Sequence, residues 1–397
     1  MGTDDGARLR AITTDAFDVP TATGGRERPE SDGTITWNST GLIVVRLCAG
    51  DETGLGFTHA PTAALGIIRD VLWPIIDGMD TRDTERLFWA MARGVRNIGW
   101  RGLCASAIAA VDIAAHDLAA RLAGVPLTSY LGGAHDTIAA YGSGGFTDYT
   151  DRELTEQLSS WAEHGLRAVK MKVGSQPDDD PRRVALAREA IGPDVELFVD
   201  ANGAYERKQA LHLADRFSDL GVTWFEEPVS SDDRAGLRLL RDRMPAPIRV
   251  AAGEYGYTPA DFRDLVTAGC VDVLQADATR CGITGFRVAA TLARTHGIPL
   301  SAHTAPALHA SVAAAFDGAI NVEYFHDHAR IAGAFFDGVP ALRHGDLVPD
   351  RAAPGHGLEL KEADARPYRV ASFTRATDPS AAGEAPDIQQ EQQGGTR

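Results

Sequence analysis

Lys172, Asp200, Glu226, Glu254, Asp277, His303 and Glu323 each close a short apolar run, at successive intervals of 28, 26, 28, 23, 26 and 20 residues. These residue types move protons and hold cations. Asp200, Glu226 and Glu254, at the ends of adjacent strands, converge on one point. Unpaired, they repel one another, and a hard divalent cation with oxygen ligands relieves that; Mg²⁺ suits the set. Any one of these acids taken alone reads equally well as a cap on the following helix. Three in register favour metal. Glu227 leaves a choice of ligand: it is expected on the opposite side of the strand, and the 26-residue interval favours Glu226.

Lys170 and Lys172 lie two apart on an apolar strand and so face the same way. Each lowers the other's pKa, as a nearby metal would, which makes a neutral Lys172 available as a base. Solvated lysines on a strand edge are the alternative. Asp277 and His303 end consecutive strands, where the acid fixes the imidazole tautomer and raises its basicity. Lys172 and His303 come from strands roughly across from each other and so address opposite faces of one bound carbon. Glu323 is placed to donate a hydrogen bond to a carboxylate oxygen, a role that requires it protonated.

The intervals define the elements that hold these residues. One strand, one helix and two loops take about this length, since a βαβ unit needs roughly 30 residues. A charge at the end of every strand marks the active-site face of a (β/α)8 barrel. Eight strands are expected: 138–141, 168–173, 195–200, 222–226, 248–253, 271–276, 298–302 and 320–323. Asp180-Pro181 and Thr258-Pro259 read as helix starts, with Gly192 and Gly269 as stops. Before the barrel, residues 36–60 read as a hairpin, and residues 81–98 and 102–123 as helices. The division is a 1–130 α+β capping domain, a 131–345 barrel, a 346–375 segment returning to the capping domain, and a 376–397 tail that composition marks as disordered.

Lys170-Met171-Lys172, Asp200-Ala201-Asn202, Glu226-Glu227-Pro228, Gly253-Glu254, Asp277, Ser301-Ala302-His303 and Glu323 together resemble the enolase superfamily, mandelate racemase subgroup. The resemblance spans about residues 36–370. It implies a modified (β/α)7β TIM barrel of the α/β class with an N-terminal α+β capping domain, one Mg²⁺ per subunit held by Asp200, Glu226 and Glu254, and a homo-oligomer of two to eight subunits. It also implies abstraction of the proton α to a carboxylate, giving a metal-stabilised enediolate. Lys172 is then one base, and His303, oriented by Asp277, the other base or an acid. Lys170 and Glu323 hold the substrate carboxylate and Asn202 meets the α-hydroxyl. One departure is Cys281-Gly282-Ile283, a residue shorter than the double-glycine version of such sequences. It predicts a displaced loop after the sixth strand, bearing most on Arg280 as a substrate contact.

Val322-Glu323-Tyr324 lacks the Asp-x-Asp of dipeptide epimerases, and His303 argues against a cycloisomerase-like arrangement with a lysine opposite Lys-x-Lys. The expected specificity loop, residues 20–32, is polar (Thr21, Thr23, Arg26, Arg28, Glu30), and Tyr255, Tyr257, His309, His326 and His328 are expected at the barrel mouth. So many hydrogen-bonding groups favour a sugar-acid dehydratase over a 2-hydroxyacid racemase or epimerase. A non-catalytic binding relative is a third reading. A net charge of -16 argues against nucleic acid and anionic membrane partners but leaves room for a small carboxylate substrate. Four dispersed cysteines without a CxxC pair, a polar N-terminus and no apolar run approaching about 18 residues point to a cytoplasmic protein.

Overall fold

A computed structural model describes residues 5–21 and 28–377. The capping domain is an antiparallel sheet of β1 (Ala11–Pro20), β2 (Ser39–Ala49) and β3 (Glu52–Thr58). Gly50 opens the two-residue β2–β3 turn at φ +56°, as a hairpin with glycine in its first loop position requires. The sequence reading began this sheet at residue 36 and missed β1. Its alternation is hidden because Thr14 and Asp15 are buried, with Asp15 paired to Arg46 and Arg369.

Of the two long helices here, α1 (Thr84–Gly94) and α2 (Leu103–Leu122), α2 lies across the sheet and α1 packs against α2. A Cβ at Gly56 would sit 2.2 Å from the carbonyl oxygen of Ala110, and one at Gly54 would sit 2.3 Å from that of Ala114. The glycines and the helix alanines thus let β3 and α2 touch backbone to backbone. Contrary to the sequence reading, α2 is long and apolar enough to cross a membrane, but 94% of its apolar window is buried inside the protein. It packs on the sheet on one side and on a barrel helix on the other, as the core helix of a folded domain does.

The barrel follows as eight parallel strands: β4 (Ile138–Gly144), β5 (Ala168–Lys172), β6 (Glu196–Asp200), β7 (Val222–Glu226), β8 (Arg249–Ala252), β9 (Val273–Ala276), β10 (Leu300–Ala302) and β11 (Ala319–Phe325). β11 pairs with β4 and closes it. Connecting helices are α3 (Asp151–Glu163), α4 (Asp180–Ile191), α5 (Arg207–Asp219), α6 (Arg234–Arg243), α7 (Pro259–Thr267), α8 (Ala278–Thr295) and α9 (Pro306–Ala313). Thr258 and Asp261 form a capping box on α7. Asp180 is not the cap of α4: its carboxylate instead accepts from the Gly174 amide (2.9 Å) and the Tyr205 hydroxyl (2.5 Å), tying two loops together. The alternation also runs one helix beyond Glu323, through α10 (His326–Phe335). The chain then returns to the capping sheet, where β12 (Arg369–Ala376) pairs with β1 from Ala11↔Ala376 to Phe17↔Arg369. The rest of the expected disordered tail, from residue 378, lies outside the described residues.

Inside the barrel, side chains alternate by layer. Tyr141, Ala168, Phe198, Trp224, Ala251 and Val273 form a buried apolar plug, with Phe198 and Trp224 stacked at 4.9 Å. Two residues further along the same strands come Lys170, Asp200 and Glu226, on the same inward face. The polar layer therefore rests on an aromatic floor that excludes water from below.

Candidate active site

Register sets the geometry. Lys172 is paired with Asp200, and Asp200 with Glu226, across β5, β6 and β7. Glu254, Asp277 and His303 follow the last residues of β8, β9 and β10, and Glu323 lies within β11. Asp200, Glu226 and Glu254 are all buried and bring carboxylate oxygens within 4.8 Å of one another. Glu227 takes a left-handed φ of +36° just past β7. That bend keeps it buried near the cluster rather than turned away from it. Burial and then Glu254, Asp200 and Glu226 push its carboxyl well above the usual range.

The basic residues meet the acids directly. Lys172 Nζ is 2.5 Å from Asp200 Oδ2, and Lys170 Nζ is 2.5 Å from Glu226 Oε2 and 2.9 Å from Glu323 Oε1. His303 Nδ1 lies 3.0 Å from Asp277 Oδ2, and its Nε2 lies 2.7 Å from Glu254 Oε2. Burial works against charge on His303, yet Glu254, Glu323 and Asp277 push it up to about 10. Burial also disfavours the Lys172 ammonium, but Asp200 overrides both that and the repulsion of Lys170 and raises it. Without a cation the arrangement favours a charged Lys172, since Lys170 directs its own charge to Glu226 and Glu323. Glu323 departs from expectation. Burial would raise it, but Lys170, His303 and Lys172 hold it at about 2, and it accepts from Ser143 Oγ (2.5 Å) and the Thr304 amide (3.1 Å) rather than donating.

The donor set fits a hard divalent cation. Burial and then Asp200 push Glu226 up to about 8, and Glu226 Oε1 is buried without a hydrogen-bond partner. The carboxylates favour the protonated forms of Lys172 and His303, whose charge compensates theirs. A divalent cation held by the same three carboxylates would supply that charge in their place and release both side chains from them.

Above the cluster opens a cavity of about 750 Å³ whose wall includes Lys172, Asn202, Glu254, Arg280, His303 and Glu323. Asn202 takes a φ of +47°, and its side-chain Oδ1 has no partner. Arg280, in the first turn of α8, lines the cavity despite the shorter loop. It donates to the Glu254 carbonyl at 2.8 Å and lies over the Tyr255 ring. Gly282 interrupts α8 with a non-helical φ of +75°. Lys170 is fully buried beneath this wall and reaches the site through Glu226 and Glu323. His309 is not at the mouth but buried behind Asp277, where its Nε2 accepts from the Ala278 amide. His328 does line the cavity.

Asp32, at the end of the expected specificity loop, lines the cavity, and the sequence reading missed the rest of the capping domain's share of the wall, which includes Asp18, Trp37, Thr40 and His59. These residues lie on sheet strands and loops with no local pattern to mark them. Within the expected specificity loop, residues 22–27, including Thr23 and Arg26, lie outside the described residues. Arg28 is paired with Glu153, and Glu30 is buried beside His326 and Asp327.

Comparison with known proteins agrees with this geometry. A family described as enolase C-terminal domain-like matches residues 153–364, and one described as mandelate racemase / muconate lactonizing enzyme, N-terminal domain, matches residues 19–132. The D-galactarolactone cycloisomerase of Agrobacterium fabrum is 36% identical over 284 residues, covering 70% of this chain and 74% of that protein. The L-talarate/galactarate dehydratase of Salmonella typhimurium is 30% identical over 342 residues, covering 84% and 82%. The structure of that dehydratase with Mg and L-lyxarohydroxamate matches at a TM-score of 0.85 and 26% identity, over 96% of this chain and 97% of that one. A mandelate racemase/muconate lactonizing enzyme-like protein from Rubrobacter xylanophilus matches at a TM-score of 0.88 and 47% identity, over 91% and 100%. With a cycloisomerase among these relatives, His303 alone does not set that branch aside. Both halves of the chain are matched, and it belongs to the mandelate racemase / muconate lactonizing enzyme family of the enolase superfamily.

Proposed function

We propose that this protein is a Mg²⁺-dependent hydro-lyase that removes the proton α to the carboxylate of a sugar acid and expels the β-hydroxyl as water, leaving a 2-keto-3-deoxy acid. The observation that carries this reading is the meeting of two bases, Lys172 and His303, on the wall of one cavity above the Asp200, Glu226 and Glu254 cluster. Asp200, Glu226 and Glu254 would hold the cation. When bound, it supplies positive charge against the negative charge that builds on the substrate carboxylate.

The chain's own residues do the rest. Lys172, relieved of its proton, takes the α-proton on one face of the substrate. The electron pair of the broken C–H bond forms the Cα–Cβ double bond as the β C–O bond breaks. His303 Nε2 gives its proton to the departing hydroxyl, and the resulting enol becomes the keto acid. Asp277 holds Nδ1, so Nε2 is the nitrogen that faces the cavity. Asn202 is placed for the α-hydroxyl and Arg280 for a further substrate oxygen. Lys170 and Glu323 set the charge around the carboxylate site. A cytoplasmic homo-oligomer is part of the same reading.

Racemisation or epimerisation is the second reading, since two bases on opposite faces suffice for it. Incubation with Mg²⁺ and a library of sugar acids and 2-hydroxyacids in D₂O separates the two. Keto product from one acid establishes dehydration. Deuterium at Cα with inversion and no keto product makes the protein a racemase.

A further inference from the structure

Beyond the residues placed in the proposed reaction, the cavity wall is acidic. Asp18, Asp32 and Asp327 line it. Asp32 Oδ1 accepts from the Thr34 amide (2.6 Å), the Ile35 amide (2.8 Å) and the Thr34 hydroxyl (3.0 Å), all neutral donors that leave its charge in place. Asp327 is faced by Trp37 Nε1 at 3.3 Å and by Arg330 at 3.5 Å, the latter outside the cavity wall. Among the described residues, the wall's only lysine or arginine besides Lys172 is Arg280. Its guanidinium donates to the Glu254 carbonyl and lies 3.6 Å from the Glu254 carboxylate and 3.8 Å from that of Asp277, which holds it beside the proposed metal ligand and the His303–Asp277 pair.

Two imidazoles also lie on this wall. His59, from the capping domain, stacks on His328, from α10, with ring centroids 3.4 Å apart and planes 9° from parallel. Burial pushes His59 down to about 4 and His328 well below its ordinary value, so both are neutral at pH 7. His328 Nδ1 accepts from the Ala305 amide, whereas His59 Nδ1 is buried with no hydrogen-bond partner. A neutral ring nitrogen without a partner suits a substrate hydroxyl. Among the described residues, a second substrate carboxylate would meet three acids and, besides Lys172 and Arg280, no lysine or arginine on this wall, and like charges brought together oppose binding.

We infer that the substrate is a monocarboxylic, aldonate-type sugar acid whose far end is neutral and hydroxylated, not a dicarboxylic aldarate. This rests on the proposed carboxylate chemistry of the inner end. It also sets the chain apart from its L-talarate/galactarate dehydratase relative, which is named for diacids.

The test uses the Mg²⁺-loaded protein and pairs of matched configuration, such as D-gluconate with D-glucarate and D-galactonate with galactarate. Binding is read by isothermal titration, turnover by keto product, and α-proton removal by deuterium uptake. The aldonate is expected to lead its aldarate by about tenfold or more in affinity and in kcat/KM. Asp32→Asn and Asp327→Asn should each narrow the ratio. An aldarate bound or turned over as well as its aldonate partner overturns the inference. Tighter aldonate binding without keto product or exchange supports it and defeats the dehydratase reading instead.

Discussion

His303 and Asp277 share a 3.0 Å hydrogen bond, and the backbone beside each is fastened to one further side chain, His309. His309 Nε2 accepts from the amide of Ala278, and its Nδ1 donates to the carbonyl of Thr304 at 2.7 Å. Ala278 follows Asp277, and Thr304 follows His303. Thr304 and Ala305 both hold left-handed φ angles, +50° and +39°, which cost free energy and persist only where the surroundings enforce them. His309→Gln is expected to lower kcat by about ten- to a hundredfold, given what misplacement of a catalytic group costs. KM should change less, and the pH limb of kcat belonging to His303 should move. A His309→Gln enzyme with wild-type kcat and pH profile would show that the dyad positions itself without it.

In the proposed reaction Lys172 and His303 serve different faces of the substrate. Lys172→Met and His303→Asn should each reduce keto-acid formation by about a hundred- to ten-thousandfold, the range of general acid–base catalysis. In D₂O the two variants should differ. His303→Asn keeps α-proton exchange on the face served by Lys172, and Lys172→Met loses it. Loss of the same exchange in both variants counts against two separate bases.

Binding of Mg²⁺ should stabilise the fold, since the three carboxylates are buried and mutually repulsive without it. At one hundred times its dissociation constant, a ligand that binds only the folded state contributes about 2.7 kcal/mol. Thermal melts of EDTA-treated protein with and without Mg²⁺ read this directly, and activity should disappear and return in step. Glu226→Gln should abolish most of the shift. If Mg²⁺ leaves the melting temperature of the treated wild type unchanged, the cluster is not a metal site.

Away from the active site, Asp112 on α2 accepts from the Thr284 amide (2.9 Å) and the Thr284 hydroxyl (2.8 Å) on α8, joining the capping domain to the barrel. Burial pushes its carboxyl up to about 7, against the effect of those hydrogen bonds. Its value in the unfolded chain is 3.8, so between about pH 4 and 7 the folded state holds a proton that the unfolded state has lost. The contribution is therefore full below pH 4 and declines as pH rises through 7, by roughly 1.4 kcal/mol per unit at most. Asp112→Asn keeps an acceptor for the amide and can donate to the Thr284 hydroxyl, which can turn to His116 at 3.1 Å. The melting temperature of this variant should fall less than that of wild type between pH 5 and pH 8. Parallel declines would mean that Asp112 is ionised throughout.

Much of the inner site was legible in the chain because strand periodicity is local. A charge that ends an apolar run of strand length lies at a strand end wherever the strand goes, and a constant interval puts successive ends on one face. Lys170 and Lys172 face the same way for the same reason. Glu227 escaped this reasoning because its direction depends on a left-handed residue after the strand rather than on alternation. His309 escaped it because an eight-residue helix buried on every side gives no periodic sign of which face meets Asp277.

What the sequence by itself determined is the order and spacing of the reacting groups, and hence the barrel and its family. What only the tertiary structure decided is how those groups share charge and what closes over them. Asp200, 2.5 Å away, favours the charged form of Lys172, and Lys170, reaching Glu323 from below, favours its ionised form. Asp18 and Asp327 line one cavity from opposite ends of the chain, brought together as the capping sheet folds over the barrel mouth. Both results depend on distances between residues remote in sequence. Electrostatic interaction follows distance in space, and no local pattern of residues records it.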